Sequence, residues 1–172
     1  SQSKDYLEIN IDDINDDGIV SKPKKCLKLT DRMLIQAEKR EVKSGDILMI
    51  TKSFSADNVG KVGFVDSDCG SNWVIGQNFH IIRLTDKKYL SGPIYLYMYL
   101  SSQLVQEYIA EHVNQSVTSI LSVNDLKELP VSIESEEKVL RTRKEILNKY
   151  EEIRRLKKEV ECLKREHWTL NL

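Results

Sequence analysis

Hydrophobic positions in the C-terminal residues 135–172 recur with a heptad spacing, and this stretch contains neither Pro nor Gly. β-Branched residues recur at the a positions and Leu fills several d positions, which is the pattern of a coiled-coil seam. Thr142 and Lys149 interrupt the d series, so the complete seam begins at Ile153. The pattern predicts a long helix over residues 134–172 that needs a partner, with Ser135 as its N-cap. The residues expected to pair are Val139, Ile146, Ile153, Leu156, Val160 and Leu163.

Short apolar runs between turn residues predict strands in the first part of the chain. Residues 47–50 form an unbroken apolar run after Gly45-Asp46, which is typical of a buried strand. Residues 29–36 fit a short helix or a strand equally well. Further extended segments are predicted at 6–11, 19–20, 59–65, 79–84, 117–120 and 129–133.

Two helices are predicted after Gly92-Pro93, because Pro is tolerated in the first turn of a helix. The first is apolar nearly all round, and the second, from Ser102, carries one apolar stripe. A helical turn is expected at residues 124–127. The predicted fold class is therefore α+β, with a mixed β-sheet globular domain over residues 1–133 followed by the long helix.

The net charge of −1 conceals a segregation of charge along the chain. Residues 1–20 carry six acidic residues and one Lys, whereas residues 21–61 carry ten basic residues and five acidic ones. Such a basic stretch can bind phosphates, although an ordinary solvated surface explains it equally well.

Cysteine usage and hydropathy suggest where the protein works. Cys26, Cys69 and Cys162 are odd in number and lack metal-ligand spacing, so we expect reduced thiols and a cytoplasmic location. No apolar run reaches transmembrane length, and no membrane partner is expected. Because the sequence starts at Ser1 without Met, we expect a processed or excised fragment.

Motifs for catalysis are incomplete. Residues 13–18 match the first half of a calcium loop, but its twelfth position is Lys24, where a carboxylate is required. Glu136-Glu137-Lys138 has the spacing of a nuclease core, yet its place at the start of a helix is typical of a solvated surface. The sequence contains no HExxH pair, nucleophile elbow or phosphate-binding Gly loop. It therefore predicts no enzyme, no metal and no cofactor.

Three polar loops are candidates for a DNA-binding surface. Asn and Gln can contact adenine edges, and Lys and Ser can bind phosphates. Turn preferences alone would place Ser, Asn and Gly in the same loops. The candidate DNA-binding residues are Lys52, Ser53, Phe54, Ser55, Asn58, Lys61, Asn72, Trp73, Gln77, Asn78, Asn114 and Gln115.

The order of segments resembles the target-recognition domain of type I restriction–modification specificity subunits, from about Tyr6 onward. The resemblance implies a non-catalytic domain that recognises one half of a bipartite site in double-stranded DNA. It also implies a helix that spaces two such domains and docks methyltransferase, and in some assemblies restriction, subunits. Adenine methylation with S-adenosylmethionine would belong to those partners. The segments that carry the resemblance are Gly45-Asp46-Ile47-Leu48, residues 59–63, 77–83 and 95–100, and the stretch 116–131 before the long helix.

Two features depart from that family. The Pro-rich step and the Gln that usually precede the long helix are replaced by residues 130–137, PVSIESEE. A full subunit has two recognition domains and two helices, whereas this chain has one of each. We therefore expect a half-subunit that dimerises, or a fragment such as the C-terminal recognition part of a fused methyltransferase. Two alternatives remain open, an adaptor that uses the coiled coil without nucleic acid and a nuclease or methyltransferase fragment.

Overall fold

The chain divides into two compact units, Ser1–Ser132 and Ile133–Leu172. A computed structural model describes residues 5–28, 35, 37–66, 69–85, 92–114, 117–129, 131 and 136–169. The predicted α+β class is confirmed, because mixed sheets precede a long C-terminal helix. In chain order the elements are β1 (Tyr6–Ile9), β2 (Lys25–Leu27), β3 (Ile47–Ile50), β4 (Lys52–Ser53), β5 (Val62–Phe64), β6 (Trp73–Ile75), β7 (Phe79–Ile82), α1 (Pro93–Leu100), α2 (Gln103–His112), β8 (Ser119–Ile120), α3 (Val123–Lys127) and α4 (Glu136–Thr169).

Two three-stranded sheets form the framework of the first unit. In one sheet β1 lies in the middle, antiparallel to β2 and parallel to β6. In the other sheet β3 lies in the middle, antiparallel to both β5 and β7. All four residues of β3 are buried, which explains why its sequence is an unbroken apolar run and does not alternate.

The main core contains side chains from both sheets. Ile9 and Ile75 come from the first sheet, and Leu48, Ile50 and Phe79 come from the second. On the opposite side of the first sheet, a smaller cluster includes Tyr6 and Val74. Alternate residues of β6 therefore belong to different clusters, as the period of a strand requires. The main cluster is completed by Val20, Val42, Val65 and Trp73.

Helices α1 and α2 close one side of the second sheet. α1 packs on β5, where the rings of Phe64 and Tyr97 have centroids 5.6 Å apart. α2 begins after the N-cap Ser102, as the sequence predicts. Gln106 in α2 donates from Nε2 to the carbonyl oxygens of Gly60 (3.0 Å) and Leu100 (2.8 Å). This one side chain therefore ties α2 to the end of α1 and to the loop before β5.

Several predicted strands are shorter than their apolar patterns. The segment 59–65 yields only β5, because Gly60 has φ +91° and a Cβ there would lie 2.5 Å from Cγ2 of Ile109. The segment 6–11 ends at Ile9, because residues 11–13 form a 3₁₀ helix. At 129–133, neither Leu129 nor Val131 is in a strand, and the remaining residues lie outside the described ranges. Most of 29–36 and the predicted N-cap at residue 135 also lie outside them.

The second unit contains α4, a helix of 34 residues and hence roughly 50 Å long at 1.5 Å per residue. Its surface carries pairs such as Arg141 with Glu145 (3.6 Å) and Lys164 with Glu161 (3.4 Å). Such exposed pairs contribute only a few tenths of a kcal/mol each. These surface pairs therefore contribute little to the stability of the helix.

Candidate nucleic-acid interface

A two-stranded ribbon made of β4 and β8 carries several of the predicted DNA-binding residues. Lys52 lies opposite Ile120, and Ser53 lies opposite Ser119. The inner face is formed by the two serines, which are 8% and 3% exposed. On the outer face Lys52 is exposed and Ile120 is 42% exposed. Two residues after Lys52, Phe54 is 86% exposed.

This ribbon reverses the usual distribution of polar and apolar side chains. A surface strand pair normally turns its apolar residues inward and its polar residues outward. Here small hydroxyl side chains are buried, while an aromatic and a branched aliphatic side chain face solvent. The outer face of the β4–β8 ribbon therefore combines an exposed apolar side chain, Ile120, with the charge of Lys52, and Phe54 follows at its end.

The turn at residues 77–78, between β6 and β7, is fixed to the base of the ribbon. The carbonyl oxygen of Asn78 accepts hydrogen bonds from the backbone N–H groups of Thr51 (2.8 Å) and Lys52 (3.3 Å). The Thr51 carbonyl in turn accepts a bond from the N–H of Leu121, just after β8 (2.9 Å). Gln77 at this turn is exposed, so its amide is free to reach a partner beside the ribbon.

The third predicted loop joins the same region through Asn114. Asn114 and Ile120 exchange two backbone hydrogen bonds, each 3.1 Å long, which adds a third chain segment beside β8. The side chain of Asn114 is exposed. Gln115 lies outside the described residues. Backbone hydrogen bonds thus join the three segments that carry Lys52, Gln77 and Asn114, although these segments are far apart in the sequence.

Lys61 and Asn58 lie elsewhere, in a cleft of about 590 Å³. The Nζ of Lys61 donates to Oδ1 of Asn58 (2.9 Å). Asp12, Asp16 and Asp17 line the same cleft, whereas Lys52 does not. Lys61 therefore lies in a cleft with acidic residues, which disfavour a phosphate, and Lys52 does not line that cleft.

Three other candidate residues have structural roles. Trp73 is 6% exposed and belongs to the main core, so its assignment to a DNA-binding loop is corrected. Asn72 has a positive φ of 73°, and its carbonyl accepts a bond from the N–H of Leu7 (2.9 Å). The Ser53 hydroxyl accepts a bond from the N–H of Ser55 (3.1 Å), which shapes the turn that presents Phe54. Ser55 itself is exposed.

Two exposed apolar residues of this region were not among the DNA-binding residues predicted from the sequence. Val117 is 89% exposed and Ile120 is 42% exposed. The sequence placed both in a strand, which is consistent with β8 for Ile120. Periodicity shows that alternate residues of a strand share a face, but it does not show which face is buried. The burial of Ser119 shows which face of β8 points inward, and only the tertiary structure reveals it.

The seam of α4 is described for its C-terminal half. Ile153, Leu156, Val160 and Leu163 are 50%, 46%, 49% and 58% exposed. Seam residues of a paired coiled coil would lose this exposure. The side chains of Val139 and Ile146 are outside the described part of the structure.

Within the described ranges, no group of three or more His, Cys, Asp or Glu side chains is arranged to hold a metal ion. In the acidic turn, the Asp13 carboxylate accepts a hydrogen bond from the backbone N–H of Asn10 (2.8 Å). A membrane-spanning helix, long and apolar enough to cross a bilayer, is likewise not found among the described helices.

The fold is similar to a solved structure, the HsdS subunit from Thermoanaerobacter tengcongensis, with a TM-score of 0.57 and 16% sequence identity. The matched region covers 91% of this chain and 39% of that chain. No family model and no curated protein matches the sequence. At this identity the likeness establishes an HsdS-like fold and leaves the function to be argued from the site.

Proposed function

We propose that this chain is a non-catalytic, sequence-specific DNA-recognition module of a type I restriction–modification system. Its globular unit would recognise one half-site of double-stranded DNA, and α4 would join it to its partners. The observation that carries this proposal is the β4–β8 ribbon with its reversed outer face. The likeness to an HsdS subunit supports it, because HsdS is the specificity-subunit class that the sequence resembles.

The chemistry of the ribbon region suits a duplex. A two-stranded β-ribbon fits the major groove of B-DNA, where Gln and Asn can bond adenine N6 and N7. Gln77 and Asn114 provide exposed amides on either side of Lys52, which would bind a phosphate. In this arrangement Lys52 contributes affinity for any sequence, and the two amides contribute sequence preference.

Helix α4 would supply the assembly contacts. Its half-exposed seam fits a second copy of this chain or the equivalent helix of a second recognition domain. Either pairing would hold two recognition units at a fixed spacing. We further propose that the paired helices dock methyltransferase subunits in the cytoplasm, and that catalysis and its S-adenosylmethionine cofactor belong to those subunits.

DNA selection from a random duplex library, followed by fluorescence anisotropy at several salt concentrations, tests this function. The full chain should select a defined motif and bind it with a steep salt dependence. Lys52→Ala should weaken binding to all sequences and reduce the salt slope by roughly 0.9. Lys43→Ala is the matched control, because this exposed Lys precedes β3 whereas Lys52 follows it. Binding that depends on neither sequence nor salt would contradict the proposal.

Methylome sequencing of a host with and without the gene tests the same proposal in the cell. Loss of methylation at one adenine-containing motif would identify the target and the reaction. The alternative function, an adaptor that uses α4 without nucleic acid, is favoured by the exposed seam of α4. It predicts an unchanged methylome and protein partners that depend on the seam residues.

A further inference from the structure

Phe54 is the most exposed aromatic side chain among the described large hydrophobic residues of the globular unit, at 86%. It follows β4 directly, at the turn after Ser53, and is two residues from the exposed Lys52. The β4–β8 register places Ile120 opposite Lys52, and Val117 lies two residues before β8 and is 89% exposed. We call these three exposed apolar side chains in and next to the ribbon, Phe54, Val117 and Ile120, the ribbon tip.

We propose that Phe54 inserts between two base pairs of the bound half-site and partly unstacks them. This inference rests on the proposed function and adds a mechanism to it. Proteins that bend DNA from the minor groove insert Phe, Leu, Ile, Met or Pro side chains between base steps, and we infer the same kind of insertion from the groove that the ribbon occupies. The flanking base pairs would cover the ring that the protein itself leaves in solvent. Because base steps differ in how easily they unstack, insertion would add sequence preference at that step.

The size and charge of the ribbon tip favour DNA over a protein partner. A stable protein interface buries about 800 Å² on each partner and involves some 20 residues or more. The ribbon tip offers three apolar side chains, and Lys52 and the exposed amides of Gln77 and Asn114 belong to the segments joined at the ribbon. A duplex supplies both an apolar base step and the phosphates that would neutralise Lys52.

The backbone behind Phe54 is well held, which a wedge requires. The Ser53 hydroxyl accepts the N–H of Ser55 (3.1 Å), so the residues on both sides of Phe54 are joined. Thr51 is bonded to Asn78 and Leu121 through its N–H and carbonyl groups. The segment that carries Phe54 is therefore supported during insertion by its bonds to the ends of strands β3, β7 and β8.

The test uses the full chain and the selected duplex, with 2-aminopurine placed at each position in turn. Unstacking raises 2-aminopurine fluorescence, so wild-type protein should produce a several-fold rise at one step only. Phe54→Ala should abolish this rise and weaken binding about 5- to 100-fold, the range expected for loss of one base–aromatic stack. Phe54→Tyr should retain both. Leu104→Ala is the matched control, since Leu104 is 73% exposed but lies on α2.

The possible results separate this mechanism from the function it rests on. Sequence-specific, salt-dependent binding without a fluorescence rise at any step would overturn insertion and leave the recognition function standing. Absence of any DNA binding would overturn both. A Phe54→Ala variant that binds DNA normally but loses self-association or a methyltransferase subunit would overturn insertion and identify a protein contact. Unchanged thermal unfolding of Phe54→Ala confirms that its effects are local.

Discussion

Arg83 and Asp46 form a bidentate pair that joins the start of β3 to the end of β7. The guanidinium donates from Nε to Oδ1 (2.7 Å) and from Nη2 to Oδ2 (2.6 Å) of a carboxylate that is almost fully buried. The same carboxylate accepts the N–H of Lys43 (2.7 Å). The hydrogen bonds to Asp46 raise the pKa of Arg83 above its already high ordinary value. The pair therefore fixes the register of the two strands whose other ends lead into the ribbon region.

Arg83→Ala should lower the free energy of unfolding by about 2–3 kcal/mol. The substitution removes two charge-assisted hydrogen bonds and leaves a buried carboxylate with one remaining partner. Urea unfolding followed by circular dichroism measures the change. Arg155→Ala, at an exposed position of α4, is the control and should leave the unfolding of the globular unit unchanged. An equal loss in both variants would show that the pair contributes nothing specific.

Gln77→Ala should relax the sequence preference of the chain while preserving its affinity for random DNA. An amide that bonds a base edge is worth about 1–3 kcal/mol of discrimination, and it contributes little to non-specific binding. Anisotropy with the selected motif and its single-base variants measures this discrimination. Gln103→Ala is the control, because that amide is exposed on α2 and bonds Glu107 (2.7 Å). A uniform loss of affinity across all sequences would instead make Gln77 a backbone contact.

Elements that depend on residues close together in the sequence could be predicted from it, whereas features that depend on contacts between distant residues could not. β3 and α2 were predictable because local patterns encode them, namely the apolar run 47–50 and the single apolar stripe of the segment that begins at Ser102. The length of β5 depends on the close approach of Gly60 and Ile109. That contact joins distant parts of the chain and leaves no local pattern.

The same reasoning applies to the candidate site. Loop composition selected Lys52, Gln77 and Asn114, whose backbone segments are joined by hydrogen bonds in and beside the ribbon. It also placed Lys61 with them, although Lys61 lies in the acidic cleft. Trp73 was misassigned because one aromatic after a turn has no periodicity that distinguishes core from surface. Its burial follows from the pairing of β6 with β1, where Trp73 lies opposite Leu7.

Tyr97 should make the stability of the fold sensitive to alkaline pH. Its hydroxyl donates to the Asp17 carbonyl (3.2 Å). Burial raises the pKa of Tyr97 above its ordinary value of 10.0, and the charge of Asp17 adds to this, although a hydrogen bond with Ser101 acts in the opposite direction. Because the folded state holds the proton more tightly, this stabilisation is present below pH 10 and is lost as the pH rises through the folded pKa.

The urea midpoint should therefore fall above pH 10, and Tyr97→Phe should reduce that fall, because Phe cannot ionise. At neutral pH the same variant should lose about 1 kcal/mol with the hydrogen bond to Asp17. Leu104→Ala, at an exposed position of α2, is the control and should leave the alkaline fall unchanged. Identical alkaline profiles for wild type and Tyr97→Phe would contradict the assignment.

Ile153→Asp combined with Val160→Asp should abolish self-association or partner docking through α4. Both side chains are about half exposed in the isolated unit, and a paired helix would have to bury the two introduced charges. Sedimentation of the full chain over a range of concentrations measures the assembly. Lys158→Asp, which adds an acidic residue at an exposed position outside the predicted seam, is the matched control and should assemble like wild type. The globular unit of the double variant should keep its thermal unfolding and its affinity for a single DNA half-site. Unchanged sedimentation of the double variant would mean that the seam of α4 is not the assembly surface.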